Sequence, residues 1–251
     1  MNLVDQSILF VISLIANVFS AFSGGGAGLI QLPAIIFLGL PFSIALATHK
    51  IATVALGIGA TLRHLRAQSL DKRFVLLLLI CGLPGVVAGA FIIVKIPGHT
   101  AQSALGVLTI GLGLTSVLQP DLGQSPELKH GSGRGFWVGG FVVFLIGLLN
   151  GSLSSGTGLF VTLWLVRWFG FDYKSAVAYT LILVGMFWNG VGAATLAGLS
   201  EIHWEWLPAL LLGSLLGGYV GAHMAITSGN RWIKRGFELV TFVVGLKLLL
   251  A

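Results

Sequence analysis

Long apolar runs dominate the chain, and short polar stretches separate them. We place hydrophobic segments at about 7–47, 51–62, 74–94, 100–118, 136–166, 176–199, 206–227 and 236–251. An α-helix of about 20 residues crosses the hydrocarbon core of a bilayer, which is roughly 30 Å thick, because each residue adds 1.5 Å. The pattern therefore predicts an all-α fold, a polytopic membrane helical bundle with about eight hydrophobic segments.

The first and fifth segments are too long for one straight crossing, and each has a break near its middle. Ser23-Gly24-Gly25-Gly26-Ala27-Gly28 interrupts the first, and Ser154-Ser155-Gly156-Thr157-Gly158 interrupts the fifth. Non-helical backbone at membrane depth is tolerated only where protein or a polar cavity satisfies its N–H and C=O groups. Each break fits a kinked crossing or a re-entrant hairpin, and paired breaks of this kind indicate the binding site of a transporter.

Further motifs recur at a nearly constant offset of 130 to 132 residues. The sequence Gly39…Ala45-Leu46-Ala47 parallels Gly170…Ala176-Val177-Ala178, and Gly85…Gly89-Ala90 parallels Gly217…Gly221-Ala222. We therefore expect an internal duplication. The first membrane repeat would occupy 1–118, an inter-repeat loop 119–135, and the second membrane repeat 136–251, each repeat starting with a broken or re-entrant helix.

The composition agrees with a membrane protein. Of the 251 residues, 56% are hydrophobic and 9% are charged, and the mean hydropathy is +0.98. These values exclude a soluble globule of this length. The formal net charge of +6 does not require a nucleic-acid partner, because cytoplasmic loops of membrane proteins are rich in Lys and Arg.

The charges also predict an orientation. Basic clusters follow the second and seventh segments, and the positive-inside rule places both in the cytoplasm; their members are Arg63, Arg66, Lys72, Arg73, Arg231, Lys234 and Arg235. The loop after the sixth segment carries Glu201 and Glu205 without Lys or Arg, so it should lie outside. If the first and fifth segments are re-entrant, the charges of all three loops agree with the positive-inside rule, and the two halves have opposite orientations in the membrane. If these two segments are instead kinked crossings, the two halves have the same orientation in the membrane.

Lys50 is the first candidate for a functional side chain. It lies early in the second segment, next to Thr48 and His49, with no carboxylate nearby in sequence. A charge within a bilayer is costly, so such residues commonly have a functional role. The alternative is a side chain that extends to the membrane surface. A cation without an evident partner favours an anionic ligand.

The glycine breaks suit the same ligand. A half-helix that starts at Gly28 presents its first amides and its positive dipole end to the gap, and the glycines before it allow close approach to the backbone. Tight helix crossing or interhelical hydrogen bonding are the alternatives. Asn150, Thr180 and Asn189 are polar positions in the second half, and we include Asn189 among the candidate substrate-binding residues. The candidate substrate-binding residues are Ser23, Gly24, Gly25, Gly26, Gly28, Gln31, Thr48, His49, Lys50, Ser154, Ser155, Gly156, Thr157, Gly158 and Asn189.

The sequence also resembles a known family over both halves, and the more specific motif lies in the first half. Ser23-Gly-Gly-Gly-Ala-Gly-Leu-Ile-Gln-Leu-Pro33, followed by Gly39-Leu-Pro and Ala45-Leu-Ala-Thr-His-Lys50, is similar to the motif of the TauE/SafE transporters. The resemblance implies export of sulfite, sulfonates or related organosulfur anions across the bacterial cytoplasmic membrane. His49 and the serines of the second break depart from the family pattern, which leaves the substrate open.

Together these features predict a secondary transporter of small sulfur-containing anions that works by alternating access. No GxxxxGK[ST] motif for nucleotide binding is present. We expect a small anionic substrate, the lipid bilayer, a coupling ion (a proton or sodium) and a homodimer as partners, with no cofactor, metal or catalytic residue. One alternative is a cation transporter or channel, although Glu238 is the one carboxylate well within an apolar run. Others are a membrane scaffold, or an intramembrane hydrolase that uses Ser152, Ser154 or Ser155 with His203 or His223.

Overall fold

The computed structural model describes residues 3–67, 69–93, 98–153 and 156–250. Within these ranges the chain forms helices and loops and no strand, which confirms the all-α fold. The helices are α1 (Leu3–Ser23), α2 (Ala27–Phe37), α3 (Phe42–His64), α4 (Lys72–Ile93), α5 (Gly98–Val117), α6 (Gly133–Leu153), α7 (Thr157–Arg167), α8 (Tyr173–Tyr179), α9 (Asn189–Ala197), α10 (Leu207–Ser228) and α11 (Asn230–Leu250). A π-helical segment, Thr180–Trp188, joins α8 to α9, and a short 3₁₀ turn, Trp204–Trp206, precedes α10.

Six helices in the described ranges are long and apolar enough to cross a membrane. Their spans are Asp5–Ser23, Phe42–His64, Lys72–Ile92, Gly133–Leu153, Tyr173–Ala197 and Trp204–Ser228. By contrast, α2 and α7, which follow the glycine breaks, have 11 residues each. At 1.5 Å per residue, such a helix covers about half of the hydrocarbon core. The protein is therefore a polytopic helical membrane protein with two half-length helices.

The first break is the tip of a helical hairpin, which we call hairpin 1 (α1 and α2). Gly24, Gly25 and Gly26 have φ angles of 85°, 149° and 103°, which glycine adopts readily and other residues do not. After this reversal α2 runs back along α1, because the Gln31 side-chain amide donates a hydrogen bond of 3.0 Å to Ser13 Oγ. The first apolar segment is therefore re-entrant rather than kinked.

The second break has the same form in hairpin 2 (α6 and α7). Gly156 has a φ angle of 75° at the tip. The indole nitrogens of Trp164 on α7 and of Trp168, the residue directly after α7, donate hydrogen bonds to the carbonyls of Gly139 and Gly135 on α6. Because the later tryptophan contacts the earlier α6 residue, the two helices are antiparallel. Hairpin 2 therefore also returns to the end of the bundle from which it starts.

The loop charges lie at opposite ends of the bundle. Thr48, near the start of α3, accepts a hydrogen bond from the backbone N–H of His203 in the loop that carries Glu201 and Glu205. Near the end of α3, Arg63 Nε donates to His223 near the end of α10, so α3 and α10 are parallel. We call the end with the glutamates the acidic end. The basic end is the one with the cluster that follows α3 and the basic residues that follow α10.

Both hairpins pack against a helix from the other half of the sequence. Gly213, Gly217 and Gly221 on α10 contact the α1 backbone, and Gly85 and Gly89 on α4 contact the α6 backbone. Cβ atoms at these positions would collide with the neighbouring helix, so the small residues set the helix spacing. The matched pairs Gly85/Gly217 and Gly89/Gly221 therefore lie at equivalent contacts, since α1 packs on α10 and α6 packs on α4.

Helices at corresponding sequence positions are antiparallel. On α3, Gly57 contacts Gly185 and Met186, whereas the earlier Lys50 contacts the later Asn189. α5 and α11 are likewise antiparallel, since Gly113 contacts Thr241 and the later Ser116 contacts the earlier Glu238. If the halves are copies, antiparallel pairing of equivalent helices means that the halves are inverted. It also means that hairpin 1 starts at the acidic end and hairpin 2 at the basic end.

Candidate functional site

The tips of the two hairpins meet in the middle of the bundle. Thr162 Oγ1 on α7 donates a hydrogen bond of 2.8 Å to the Gly24 carbonyl. A Cβ built on Gly25 would lie 2.6 Å from the backbone nitrogen of Leu159. The backbones of the two breaks are therefore in direct contact, although the hairpins start at opposite ends of the bundle.

A polar cavity of about 40 Å³, which we call the central cavity, lies at this contact. A buried water needs about 10–15 Å³ on the same measure, so the cavity has room for about three waters or a small ion. Hairpin tips, α3 and the π-helical segment form its walls. The lining residues are Ser20, Gly25, Gly26, Ala27, Gly28, His49, Thr53, Leu56, Asn150, Thr157, Gly158, Thr180, Leu181, Val184, Gly185 and Asn189.

Two helices begin at the central cavity. Gly26 precedes α2 and Gly156 precedes α7, and both have left-handed backbone conformations without a side-chain cap. Residues from the first turn of each helix line the cavity, namely Ala27, Gly28, Thr157 and Gly158. The positive ends of both helix dipoles are therefore directed at the same small space, an arrangement that stabilises an anion.

Lys50 is fully buried behind the wall of the central cavity. Its ammonium group donates to the Asn150 carbonyl at 2.9 Å, to Asn150 Oδ1 at 3.2 Å and to Asn189 Oδ1 at 3.4 Å. Both asparagines line the cavity, whereas Lys50 does not. The side chain thus points into the protein and does not reach the membrane surface.

The charge of Lys50 is not neutralised by a carboxylate in the part of the chain that the structure describes. The salt bridges found there are Lys129–Glu127 and Lys234–Glu238. Asn150 in turn donates from Nδ2 to Thr157 Oγ1 at 2.8 Å. A hydrogen-bonded chain therefore links the buried ammonium to the first residue of α7 at the cavity.

His49 brings a titratable side chain to the central cavity. Its Nδ1 lies 2.9 Å from Gln31 Oε1, and the Gln31 amide nitrogen donates to Ser13 Oγ. Since the Gln31 oxygen must then accept, this network assigns a proton to Nδ1 of His49. Gln31 itself does not line the cavity. It holds the imidazole ring and connects it to a buried polar cluster of Ser13, Asn17 and Ser214.

The structure brings many, but not all, of the sequence-predicted site residues to the central cavity. Those that line it are Gly25, Gly26, Gly28, His49, Thr157, Gly158 and Asn189. Gly24, Gln31, Lys50 and Gly156 lie directly behind the wall, where they contact lining residues or precede them. Ser154 and Ser155 lie outside the described residues.

Two expectations need correction. Thr48 lies on another face of α3, where its hydroxyl accepts the His203 N–H at 3.1 Å, so it belongs to the packing at the acidic end. Ser23 Oγ donates to the carbonyls of Phe19 and Gly25 within hairpin 1. It stabilises the tip and does not line the cavity, because its hydroxyl is used inside the hairpin.

Several lining residues were not among the candidates. Asn150 and Thr180 are noticeable in the sequence as polar residues in apolar runs, as are Ser20 and Thr53. The apolar wall of Leu56, Leu181, Val184 and Gly185 has no such signal. Most of it belongs to the π-helical segment, whose i→i+5 hydrogen bonds widen the helix and are frequent at functional sites.

A family comparison agrees with this architecture. The family model described as "Sulfite exporter TauE/SafE" matches residues 9–248. The chain belongs to the TauE/SafE family. This match covers hairpin 1 from residue 9 onward, all of hairpin 2 and every residue that lines the central cavity.

Several relatives align with this chain over most of their own length. A "Probable membrane transporter protein" of Haemophilus influenzae is 28% identical over 96% of this chain and 93% of its own. "Probable membrane transporter protein ORF9" of Sinorhizobium sp is 30% identical over 97% of this chain and 92% of its own. "Probable membrane transporter protein YfcA" of Escherichia coli K12 is 26% identical over 96% of this chain and 88% of its own. No solved structure matches the chain significantly.

Proposed function

We propose that this TauE/SafE protein is a secondary transporter that exports small sulfur-containing anions, such as sulfite or short sulfonates. The observation that carries the proposal is the meeting of two re-entrant tips at a polar cavity, with a buried lysine behind it that has no salt bridge in the described ranges. The description of the matching family as sulfite exporters supports the substrate class.

The central cavity has the chemistry of an anion site. None of its lining residues is a carboxylate, which favours an anion over a cation, because cation pathways use carboxylates or convergent carbonyls. Sulfite and sulfonate oxygens accept hydrogen bonds. The two helix N-termini, the Ser20 hydroxyl and the amides of Asn150 and Asn189 offer donors. We assign Lys50 the positive charge that balances the charge of the anion. This charge acts on the cavity through Asn150 and Asn189, which bind the ammonium group.

The surroundings of the central cavity suit alternating access. Toward the basic end Phe74 packs edge-to-face against Phe169 and Phe171, with ring centroids 5.2 and 4.8 Å apart. Toward the acidic end, Leu9 and Leu210 belong to a second buried apolar cluster. We propose that these two clusters are the gates, and that inverted repeats at 1–118 and 136–251, joined by 119–135, exchange roles between inward- and outward-open states.

The loop charges suggest the orientation of transport. The basic end carries Arg63, Arg66 and Arg73, so we place it in the cytoplasm of a bacterium and the protein in the inner membrane. His49 is the titratable side chain among the cavity-lining residues. We assign it the coupling of transport to protons, with sodium as the alternative ion. The homodimer stays a prediction.

The hydrolase alternative finds little support in the described part of the chain. Ser152 Oγ donates to the backbone carbonyls of Leu148 and Leu149. His223 pairs with Arg63 near the basic end, and His203 lies at the acidic end beside Trp206. Neither histidine lines the central cavity, so in the described ranges neither of them pairs with a serine there. The relatives are named as transporters, which agrees with a protein that is not an enzyme.

Uptake into proteoliposomes tests the proposal. Purified protein should move labelled sulfite or methanesulfonate, and Lys50→Met should reduce the initial rate at least tenfold, because it removes the charge but keeps a chain of similar length. Lys129→Met is the matched control, since the Lys129 side chain is 59% exposed in its salt bridge with Glu127. Equal thermal unfolding of both variants would show that folding is intact. Normal transport by folded Lys50→Met contradicts the anion-site assignment.

A further inference from the structure

A second and much larger cavity lies beside hairpin 1, and we call it the lateral groove. It has a volume of about 630 Å³, within the range of pockets that bind organic ligands. Its walls are apolar side chains of α2 and α11, among them Leu29, Ala34, Val240 and Val243. Val243 is 61% exposed and Ile30 is 41% exposed. In a membrane-spanning bundle, such side chains face hydrocarbon.

The lateral groove and the central cavity share a wall. Ser20, Gly25 and Gly26 line both of them. A Cβ built on Gly26 would lie 3.0 Å from both Val240 Cγ1 and Leu29 Cδ1. Because Gly26 has no side chain, a polar space of about 40 Å³ and an apolar space of about 630 Å³ adjoin closely at this tip.

A positive charge lies inside the lateral groove. Lys247 on α11 lines it, and its ammonium group donates to the Leu29 carbonyl at 3.3 Å. This carbonyl would normally accept the N–H of residue 33, but Pro33 has none. Over the described ranges Lys247 forms no salt bridge, so a cation is held at the groove without a carboxylate partner.

We infer that the substrates include amphiphilic organic anions, with the charged head in the central cavity and a hydrocarbon chain in the lateral groove. The inference rests on the proposed function. Head and tail match adjoining spaces of opposite polarity, and Lys247 adds positive charge along the path of an anion that enters from the groove. A short alkyl sulfonate of six to eight carbons has the required chemistry.

The length of the alkyl chain provides the test. Methane-, butane-, hexane- and octanesulfonate compete with labelled sulfite for uptake into proteoliposomes, each below its bilayer-disrupting concentration. Burial of a methylene is worth about 0.8 kcal/mol, so the inhibition constant should fall about fourfold per added carbon. Val243→Trp, which fills the groove, should flatten this dependence to less than about 1.5-fold per carbon. Ala34→Leu, a smaller change on the opposite wall, should flatten it partly.

Leu246→Trp is the control for partitioning of long chains into the bilayer. Leu246 is 56% exposed on the same helix and does not line the groove, so this variant should keep the wild-type dependence on chain length. A flat dependence in the wild type, or equal slopes for Val243→Trp and Leu246→Trp, overturns the inference and shows a groove filled by bilayer lipid only. If neither sulfite nor any sulfonate is transported, the proposed function itself fails.

Discussion

One methyl group added at Gly25 tests whether the contact between the hairpin tips is required for transport. Gly25 has a φ angle of 149°. A Cβ at this position would lie 2.6 Å from the nitrogen of Leu159 and 2.7 Å from the carbonyl carbon of Gly158. Both are backbone atoms of the other hairpin, so no side-chain rotation can relieve the overlap. Gly25→Ala must therefore push the two tips apart.

Gly39→Ala separates this overlap from simple backbone strain. Gly39 also has a left-handed φ angle, 108°, but nothing lies within 4 Å of a Cβ built there. An alanine in the left-handed region costs about 1–2 kcal/mol at either position. Overpacking adds about 1–3 kcal/mol at Gly25 alone. We therefore expect the free energy of unfolding to fall by about 1–3 kcal/mol more for Gly25→Ala than for Gly39→Ala.

The assay combines denaturant unfolding in detergent with sulfite uptake into proteoliposomes. Gly39→Ala should transport at nearly the wild-type rate, whereas Gly25→Ala should lose at least tenfold at equal amounts of folded protein, because separated tips no longer form the central cavity. Equal stability and equal transport of the two variants would refute the argument that backbone contact between the tips builds the site.

Two further predictions concern topology and the helix that contains Pro33. A reporter fused after Glu201 and another near Arg66 should report opposite sides of the membrane, because these loops lie at opposite ends of the bundle; same-side signals would rule out the inverted arrangement. Lys247→Met should lower the free energy of unfolding by about 1 kcal/mol, since the Leu29 carbonyl loses its donor. In a Pro33→Ala background, where residue 33 supplies an N–H, the same change should cost much less. Additive effects in this double-mutant cycle would show that Lys247 does not replace the missing donor.

Much of the fold can be predicted from the sequence because the signals are local. Segment length and hydropathy predicted the helices and the polytopic topology, and closely spaced glycines predicted the position of both breaks. The choice between a kink and a hairpin could not be made from the breaks themselves. It depends on contacts such as Gln31 with Ser13 and Trp168 with Gly135, which form only when the two helices pack side by side.

In the candidate site, too, some features can be predicted from the sequence and others depend on the tertiary structure. Lys50 is conspicuous because a cation in an apolar run is rare, but its hydrogen-bond partners are 100 and 139 residues away in sequence. Thr48 is two residues from Lys50, yet the helical turn directs it to another face of α3. The π-helical wall has no sequence signal, since its residues are as apolar as those of the α-helices around it.

The sequence by itself determined that this is a helical membrane protein of the TauE/SafE type, with two glycine breaks and a lysine within an apolar run. Hydropathy, chain reversal at glycine and the cost of a buried charge are properties of neighbouring residues, so they can be read without a structure. Only the tertiary structure decided that the two breaks touch and that two asparagines hold the lysine. It also decided that the polar cavity and an apolar groove adjoin at the Gly25–Gly26 tip. These features depend on the packing of helices from distant parts of the chain.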